Sequence, residues 1–180
     1  NRLQDMGEKI FVQSDDRCDD GCDSLRSRAE SNEALKNISK GKNTNRDDYA
    51  KAACAEWIDV RSFGQVFAFK DDSVSVGVRG PVSIQQAVSV SPVDIVSMQI
   101  TKSVNGESGK AGKASDTMGT KHRVEFGMYV LNGSINCQLA EKTGFTDEDA
   151  EKIKEALVTL FENDCSSARP EGSMEVCRLY

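Results

Sequence analysis

The sequence predicts an α+β fold in which helices lie on one face of an antiparallel sheet. Two runs in the middle of the chain, residues 96–101 and 124–130, place apolar side chains at every second position. This is the period of a half-buried strand. A strong helix signal follows at Thr146, where acids fill the first turn and apolar residues recur along one face. With 180 residues, the chain is long enough for one domain with a substantial core.

The first 24 residues are acidic and carry no apolar periodicity. They hold three basic side chains against seven acidic ones, a net charge of −4. Residues 15–21 are similar to a calcium-binding loop, but Cys18 occupies an oxygen-ligand position and Ser27 replaces the bidentate glutamate. Cys18 and Cys22 also lack the second pair or the histidine that completes a zinc site. We therefore interpret this stretch as a solvated acidic loop and predict no metal site.

Two helices are predicted next. Ser24 is a candidate N-cap for a helix that ends before Gly41, where a polar linker begins. The second helix starts after Asn45, another candidate cap, and continues to about Asp59 with a wide apolar face. We expect Trp57, on that face, to belong to the core.

The period then changes from helical to two-fold, which predicts strands. Residues 63–69 and 74–78 read as two strands of a hairpin. The Gly-Pro pair at residues 80–81 ends the second strand, and residues 82–91 continue in an extended conformation toward the strand at 96–101.

The segment between the two central strands is the strongest functional signal. Residues 102–123 are rich in Gly, Ser and Lys and carry five basic side chains against Glu107 and Asp116, a net charge of +3 in a chain of −6. The basic residues are Lys102, Lys110, Lys113, Lys121 and Arg123. A protein that binds a phosphate backbone would concentrate such charge at its contact surface. The alternative is a solvated surface loop.

The C-terminal third predicts a strand, a helix and a last strand. Residues 135–139 alternate in hydropathy. Thr146 and Asp149 form an approximate capping box for a helix that ends near Asn163. A polar loop leads to a final alternating run at residues 174–179.

Composition indicates a soluble, cytoplasmic protein. No apolar run approaches the roughly 20 residues of a membrane span. The six cysteines are scattered along the chain, which fits a reduced compartment better than a disulfide scaffold. The chain begins without Met and stops inside a strand pattern, and we therefore expect it to be a fragment of a longer protein.

Four motifs occur in an order that resembles one known family. They are DVRSFG at 59–64, RGPVSIQ at 79–85, DTMGTKHR at 116–123 and ARPEGS at 168–173. Together they are similar to the repeated crRNA-binding backbone subunit of the type I-C CRISPR Cascade complex, a member of the RAMP superfamily. The resemblance covers roughly residues 47–180, and several motifs in order are more specific than any one alone.

The resemblance implies a modified RRM-like, ferredoxin-like palm with a long inserted hairpin, the thumb. The palm would be a single domain over residues 1–180, and the thumb would lie at residues 102–123. Copies would stack helically along the crRNA, and each thumb would kink the strand. Further partners would be the target DNA strand and the other Cascade subunits, with no membrane. No cofactor and no catalytic residue are expected.

The resemblance also assigns candidate RNA contacts. In the thumb, Met118 would be the apolar wedge, while Lys121, His122 and Arg123 would meet phosphates at its base, and Lys102 opens the same segment. The palm residues that would face RNA are Arg61, Arg79, Gln85, Gln86 and Arg169, with Ser166 and Ser167 as backbone contacts. The opening strand of the family and the segment that follows Tyr180 are absent from this chain.

Two other functions remain open. A metal-independent endoribonuclease of the same superfamily could use His122 as a general base beside Lys121 and Arg123. His122 is the only histidine, so no histidine pair is available. A protein-only oligomeric scaffold is the third reading, and its assembly would not depend on RNA.

Overall fold

Short helices and small two-stranded ladders alternate in the computed structural model, which describes residues 1–39, 45–69, 75–101 and 118–180. The predicted α+β class is therefore confirmed. The chain divides into two units, one of residues 1–83 with 134–180 and one of residues 84–133. No helix in these described ranges is long and apolar enough to cross a membrane.

The described elements are short. The helices are α1 Arg2–Asp5, α2 Leu25–Ser31, α3 Glu33–Ser39, α4 Arg46–Glu56, α5 Ile58–Phe63, α6 Cys137–Thr143 and α7 Asp147–Val158. The strands are β1 Gly64–Ala68, β2 Ser75–Arg79, β3 Val82–Ile84, β4 Val88–Ser89, β5 Ile95–Thr101, β6 Met118–Val124, β7 Tyr129–Val130 and β8 Gly133–Ile135. The ladders pair β1 with β2, β3 with β8, β4 with β7 and β5 with β6.

The main core of the first unit is aromatic. Phe11 is completely buried, and its ring centroid lies 4.7 Å from that of Trp57 and 5.0 Å from that of Phe67. Tyr49 meets Phe67 edge-on at 5.4 Å. Trp57 is therefore a core residue, as predicted, and a residue of the acidic N-terminal stretch lies at the centre of the same cluster.

Both predicted N-terminal helices are interrupted. The helix after Ser24 breaks at Asn32, whose extended backbone (φ −75°, ψ 116°) separates α2 from α3. The Asn32 side chain accepts a hydrogen bond from the Leu35 N–H at 3.1 Å and so caps the second segment. The helix after Asn45 breaks in the same way at Trp57 (φ −119°, ψ 123°), so that α5 is a separate helix.

The cap predicted at Thr146 is confirmed. The Thr146 Oγ1 accepts from the Asp149 N–H, while the Asp149 carboxylate accepts from the Thr146 N–H at 3.1 Å. The helix ends earlier than predicted, at Val158. Its buried Ile153 packs with Phe145 and Val82 in a second, smaller core.

Three strand predictions were wrong. The strand that returns to β5 is Met118–Val124 rather than residues 124–130, of which only Tyr129–Val130 is a strand. Residues 137–139 begin α6, because the Asn136 side chain accepts from the Leu139 N–H at 3.0 Å and caps a helix there. Residues 174–179 form no regular element.

Candidate nucleic-acid interface

The hairpin of β5 and β6 presents two faces of different chemistry. Residues directly opposite each other on paired strands share a face, and successive residues alternate between faces. The antiparallel register places Met98 opposite Lys121 and Ser97 opposite His122. We call the first the cationic face, and its members are Val96, Met98, Ile100, Gly119, Lys121 and Arg123. We call the second the histidine face, and its members are Ile95, Ser97, Gln99, Thr101, Met118, Thr120, His122 and Val124.

The cationic face combines two basic side chains, those of Lys121 and Arg123, with exposed apolar side chains. Met98 and Ile100 are each about half exposed, at 47% and 50%. The Arg123 Nη2 lies 3.2 Å from the Glu125 Oε1, and both side chains are more than half exposed. An exposed pair of this kind contributes little free energy, so Arg123 is able to exchange Glu125 for a phosphate.

The histidine face carries no Lys, Arg, Asp or Glu side chain and is hydrogen-bonded across the strands. The Ser97 Oγ and the His122 Nδ1 lie 2.8 Å apart, and the Gln99 Nε2 donates to the Met118 Sδ at 2.9 Å. Four predicted thumb contacts are therefore divided between faces. Lys121 and Arg123 are on one side, while Met118 and His122 are on the other.

The whole second unit lacks a core of its own in the part that the structure describes. Of its described residues, none is buried. Its large exposed apolar side chains include Met118 at 65%, Met128 at 59% and Phe126 at 85%. The two central strands were predicted to be half-buried, but they are exposed on both faces almost throughout.

Arg61, a predicted RNA contact, holds a buried carboxylate in the structure. Its Nε and Nη2 donate to the two carboxylate oxygens of Asp149 at 2.9 and 2.7 Å, and the exposed fractions of the side chains are 17% and 5%. Burial alone would raise the pKa of Asp149, but the hydrogen bonds from Arg61 and Thr146 outweigh it and lower that pKa below its usual value. The same ion pair raises the pKa of Arg61. Contact with RNA would require this pair to open.

Arg79 is placed differently. It is exposed at the end of β2, and no side chain in the described residues pairs with it. The glycine that follows it has a packing role, because a Cβ at Gly80 would lie 2.3 Å from the Ser62 carbonyl oxygen and 2.4 Å from the Phe63 carbonyl carbon. In the Arg-Gly-Pro motif, an exposed arginine is therefore followed by a glycine whose backbone packs closely against α5.

The remaining predicted contacts are dispersed. Gln85 and Gln86 are exposed after β3, where the Gln85 N–H donates to the Asn132 carbonyl at 2.8 Å. Ser166 and Arg169 close a tight turn, and the Arg169 guanidinium pairs with Asp164 at 2.9 Å. Ser167 is exposed in the same turn. Lys102, together with the rest of residues 102–117, lies outside the described residues.

Sequence reasoning missed the apolar members of the cationic face. Met98 and Ile100 belong to the alternating run that predicted a strand, but their neighbours across the hairpin depend on the register. Only the pairing of β5 with residues 118–124 brings them beside Lys121 and Arg123.

Among the described residues, no group of three or more His, Cys, Asp or Glu side chains could hold a metal ion.

Comparison with known protein families gives a match over the whole chain. The family model described as CRISPR-associated protein Cas7 matches residues 1–180, the full span of the chain. A search of the curated proteins finds no match.

Proposed function

The chain belongs to the CRISPR-associated protein Cas7 family, and from this premise we propose that it is the crRNA-binding backbone subunit of a type I-C effector complex. The observation that carries the proposal is the cationic face of the β5–β6 hairpin. It places Lys121 and Arg123 beside exposed Met98 and Ile100, a combination suited to a single-stranded nucleic acid. Cations hold the phosphates, and exposed apolar groups contact the sugars and bases.

The exposure of the second unit supports an external partner. An isolated two-stranded hairpin is marginally stable in water, and large exposed apolar surfaces usually mark interaction sites. The described residues of this unit contain no buried side chain. In our proposal the unit gains its buried surface from RNA and from the neighbouring copy in the stack.

The proposal assigns parts of the fold to the predicted architecture. β5 and β6 are the two arms of the thumb-like insertion that includes residues 102–123, and the remaining chain forms an RRM-like, ferredoxin-like palm. We assign Arg79, which is exposed at the end of β2, as a palm cation that holds a phosphate. The partners are the crRNA, the target DNA strand, further copies of the chain and other subunits of the complex.

We propose no catalytic role, and the geometry of His122 supports this. A general base and the cations that stabilise the transition state must reach the same phosphate. His122 lies on the histidine face, against Ser97, whereas Lys121 and Arg123 lie on the opposite face of the same strand. The arrangement therefore separates the groups that the endoribonuclease reading would need to combine.

The direct test is the Lys121→Ala, Arg123→Ala double variant. We expect weaker binding of single-stranded RNA and a shallower dependence of log Kd on log salt concentration. The slope should fall by about 1.4, because each phosphate contact on a single strand contributes about 0.7. Fluorescence anisotropy over a salt series measures both quantities.

Thr120→Ala is the matched control, because Thr120 is exposed and directly precedes Lys121 in the sequence but lies on the histidine face. It should leave the salt slope unchanged. An unchanged slope in the double variant would exclude the cationic face as the phosphate contact.

His122→Ala tests the absence of catalysis. We expect the wild-type protein to leave an end-labelled RNA intact in the absence of divalent metal, and the variant to behave identically. Denaturing gel electrophoresis over several hours is the measurement. Cleavage by the wild-type protein that disappears in His122→Ala would instead support the endoribonuclease reading.

A further inference from the structure

The Cys18 thiol and the Cys22 backbone in the N-terminal loop both contact a buried guanidinium, that of Arg28. Arg28 is only 4% exposed, and it donates to the Phe11 carbonyl at 2.9 Å and to both carboxylate oxygens of Asp20. Its Nη2 also lies 3.7 Å from the Cys18 Sγ and 3.4 Å from the Cys22 carbonyl oxygen. The guanidinium thus connects the core, through Phe11, to both cysteines.

The loop between the cysteines folds back on itself. Gly21 adopts a left-handed conformation (φ +72°), which a side chain would disfavour, and the chain reverses there. As a result, the Cys18 Sγ donates to the Cys22 carbonyl oxygen at 3.1 Å. The Cys18 sulfur therefore already lies against the Cys22 backbone, and an S–S bond would need the Cys22 Sγ to leave the Ser31 Oγ and approach it.

The two thiols differ in accessibility and surroundings. Cys18 is exposed and contacts the guanidinium directly, whereas Cys22 is half-buried, with its Sγ 3.7 Å from the Ser31 Oγ. The carboxylate of Asp20 lies 3.4 Å from the Cys18 Sγ and is itself paired with Arg28. Because Cys18 is the more exposed of the two, it is the thiol that a dissolved reagent reaches first.

We propose that Cys18 and Cys22 are a thiol-modification site that closes to an intramolecular disulfide on reaction with a small disulfide such as oxidised glutathione. The Cys18 thiolate attacks one sulfur of the small disulfide and releases one thiol. The Cys22 thiolate then attacks the Cys18 sulfur and releases the second thiol. Both protein thiols are oxidised, the small disulfide is reduced to two thiols, and the two protons from the cysteines leave on them. This site does not depend on the proposed RNA binding.

The experiment exposes the full, reduced chain to oxidised glutathione, quenches it with an alkylating agent at timed intervals and maps the cysteine peptides by mass. We expect a Cys18–Cys22 disulfide without bound glutathione. Cys137, an exposed thiol with no contact to another cysteine among the described residues, should instead keep its glutathione adduct, because no second thiol is in place to release the glutathione. In the Cys22→Ser variant, the adduct should accumulate on Cys18 at the rate at which the disulfide forms in the wild-type protein.

The internal reference is Cys54, which is buried in the aromatic core. Burial raises the pKa of its thiol to about 11, so it should stay unmodified while the protein is folded. Modification of Cys54 together with Cys18 would mean that the reaction reports unfolding, and it would overturn the proposal. So would a lasting glutathione adduct on wild-type Cys18 with Cys22 still reduced.

Discussion

Replacement of Phe11 by alanine should lower the free energy of unfolding by about 3–5 kcal/mol, the range observed for large-to-small changes at buried aromatic positions. Phe11 is completely buried, and its ring contacts Trp57 and Phe67. Its removal leaves a cavity between helix and sheet and loosens the attachment of the N-terminal loop. Urea denaturation measures the effect as a lower midpoint at constant m-value.

Val12→Ala is the control, because Val12 is the next residue but 54% of its surface is exposed. That change should alter stability by less than about 0.5 kcal/mol. A loss of under 1 kcal/mol for Phe11→Ala would contradict the placement of the N-terminal segment at the centre of the core.

Replacement of Arg61 by alanine should also cost about 3–5 kcal/mol, because it leaves the buried Asp149 carboxylate without its charged partner. Arg123→Ala is the matched control, since it breaks the exposed pair with Glu125 and should change stability by less than about 1 kcal/mol. Chemical denaturation at pH 7 compares the two variants. Equally small losses of unfolding free energy in the two variants would show that Arg61 does not pair with Asp149 in solution.

The pH dependence of the Arg61 effect has a definite sign. Because the folded-state pKa of Asp149 lies below its usual value, the pair stabilises the wild-type protein above about pH 4, the pKa of an unfolded aspartate. This contribution is lost as the pH falls through the lowered folded-state pKa. In Arg61→Ala, burial raises the Asp149 pKa instead. The stability difference between wild type and variant should therefore be largest near neutral pH and shrink in acid. A difference that grows in acid would contradict the assignment.

Local signals in the sequence were sufficient at two helix caps and at one hairpin. The Thr146 cap, the Asn45 cap and the β1–β2 hairpin were each predicted from a few adjacent residues. The Asn136 cap carries a similar signal, but the apolar alternation that overlaps it in residues 135–139 favoured a strand.

The return strand β6 was missed for a physical reason. Hydropathy alternates along a strand because one face is buried, and β6 is exposed on both faces. Its sequence therefore reads as a polar loop, although it pairs with β5 over seven residues. The register of that strand places Lys121 and Arg123 on one face and Met118 and His122 on the other. This separation could not be predicted without knowledge of the strand.

Long-range partners were also beyond sequence reasoning. Phe11 is a lone aromatic residue in an acidic stretch, and nothing nearby marks it as central to the core. Arg61 meets Asp149 across 88 residues of sequence, so its motif position alone could not reveal the ion pair. Contacts of this kind depend on the tertiary arrangement of several elements.

The most direct test of the account is the nucleic acid that accompanies the protein. The protein should be purified without nuclease and analysed by size-exclusion chromatography with light scattering and the ratio of absorbance at 260 and 280 nm. We expect the protein to elute as a large particle rich in nucleic acid, which RNase treatment converts to smaller species. A monomer free of RNA, or an assembly of unchanged mass after RNase, would contradict it.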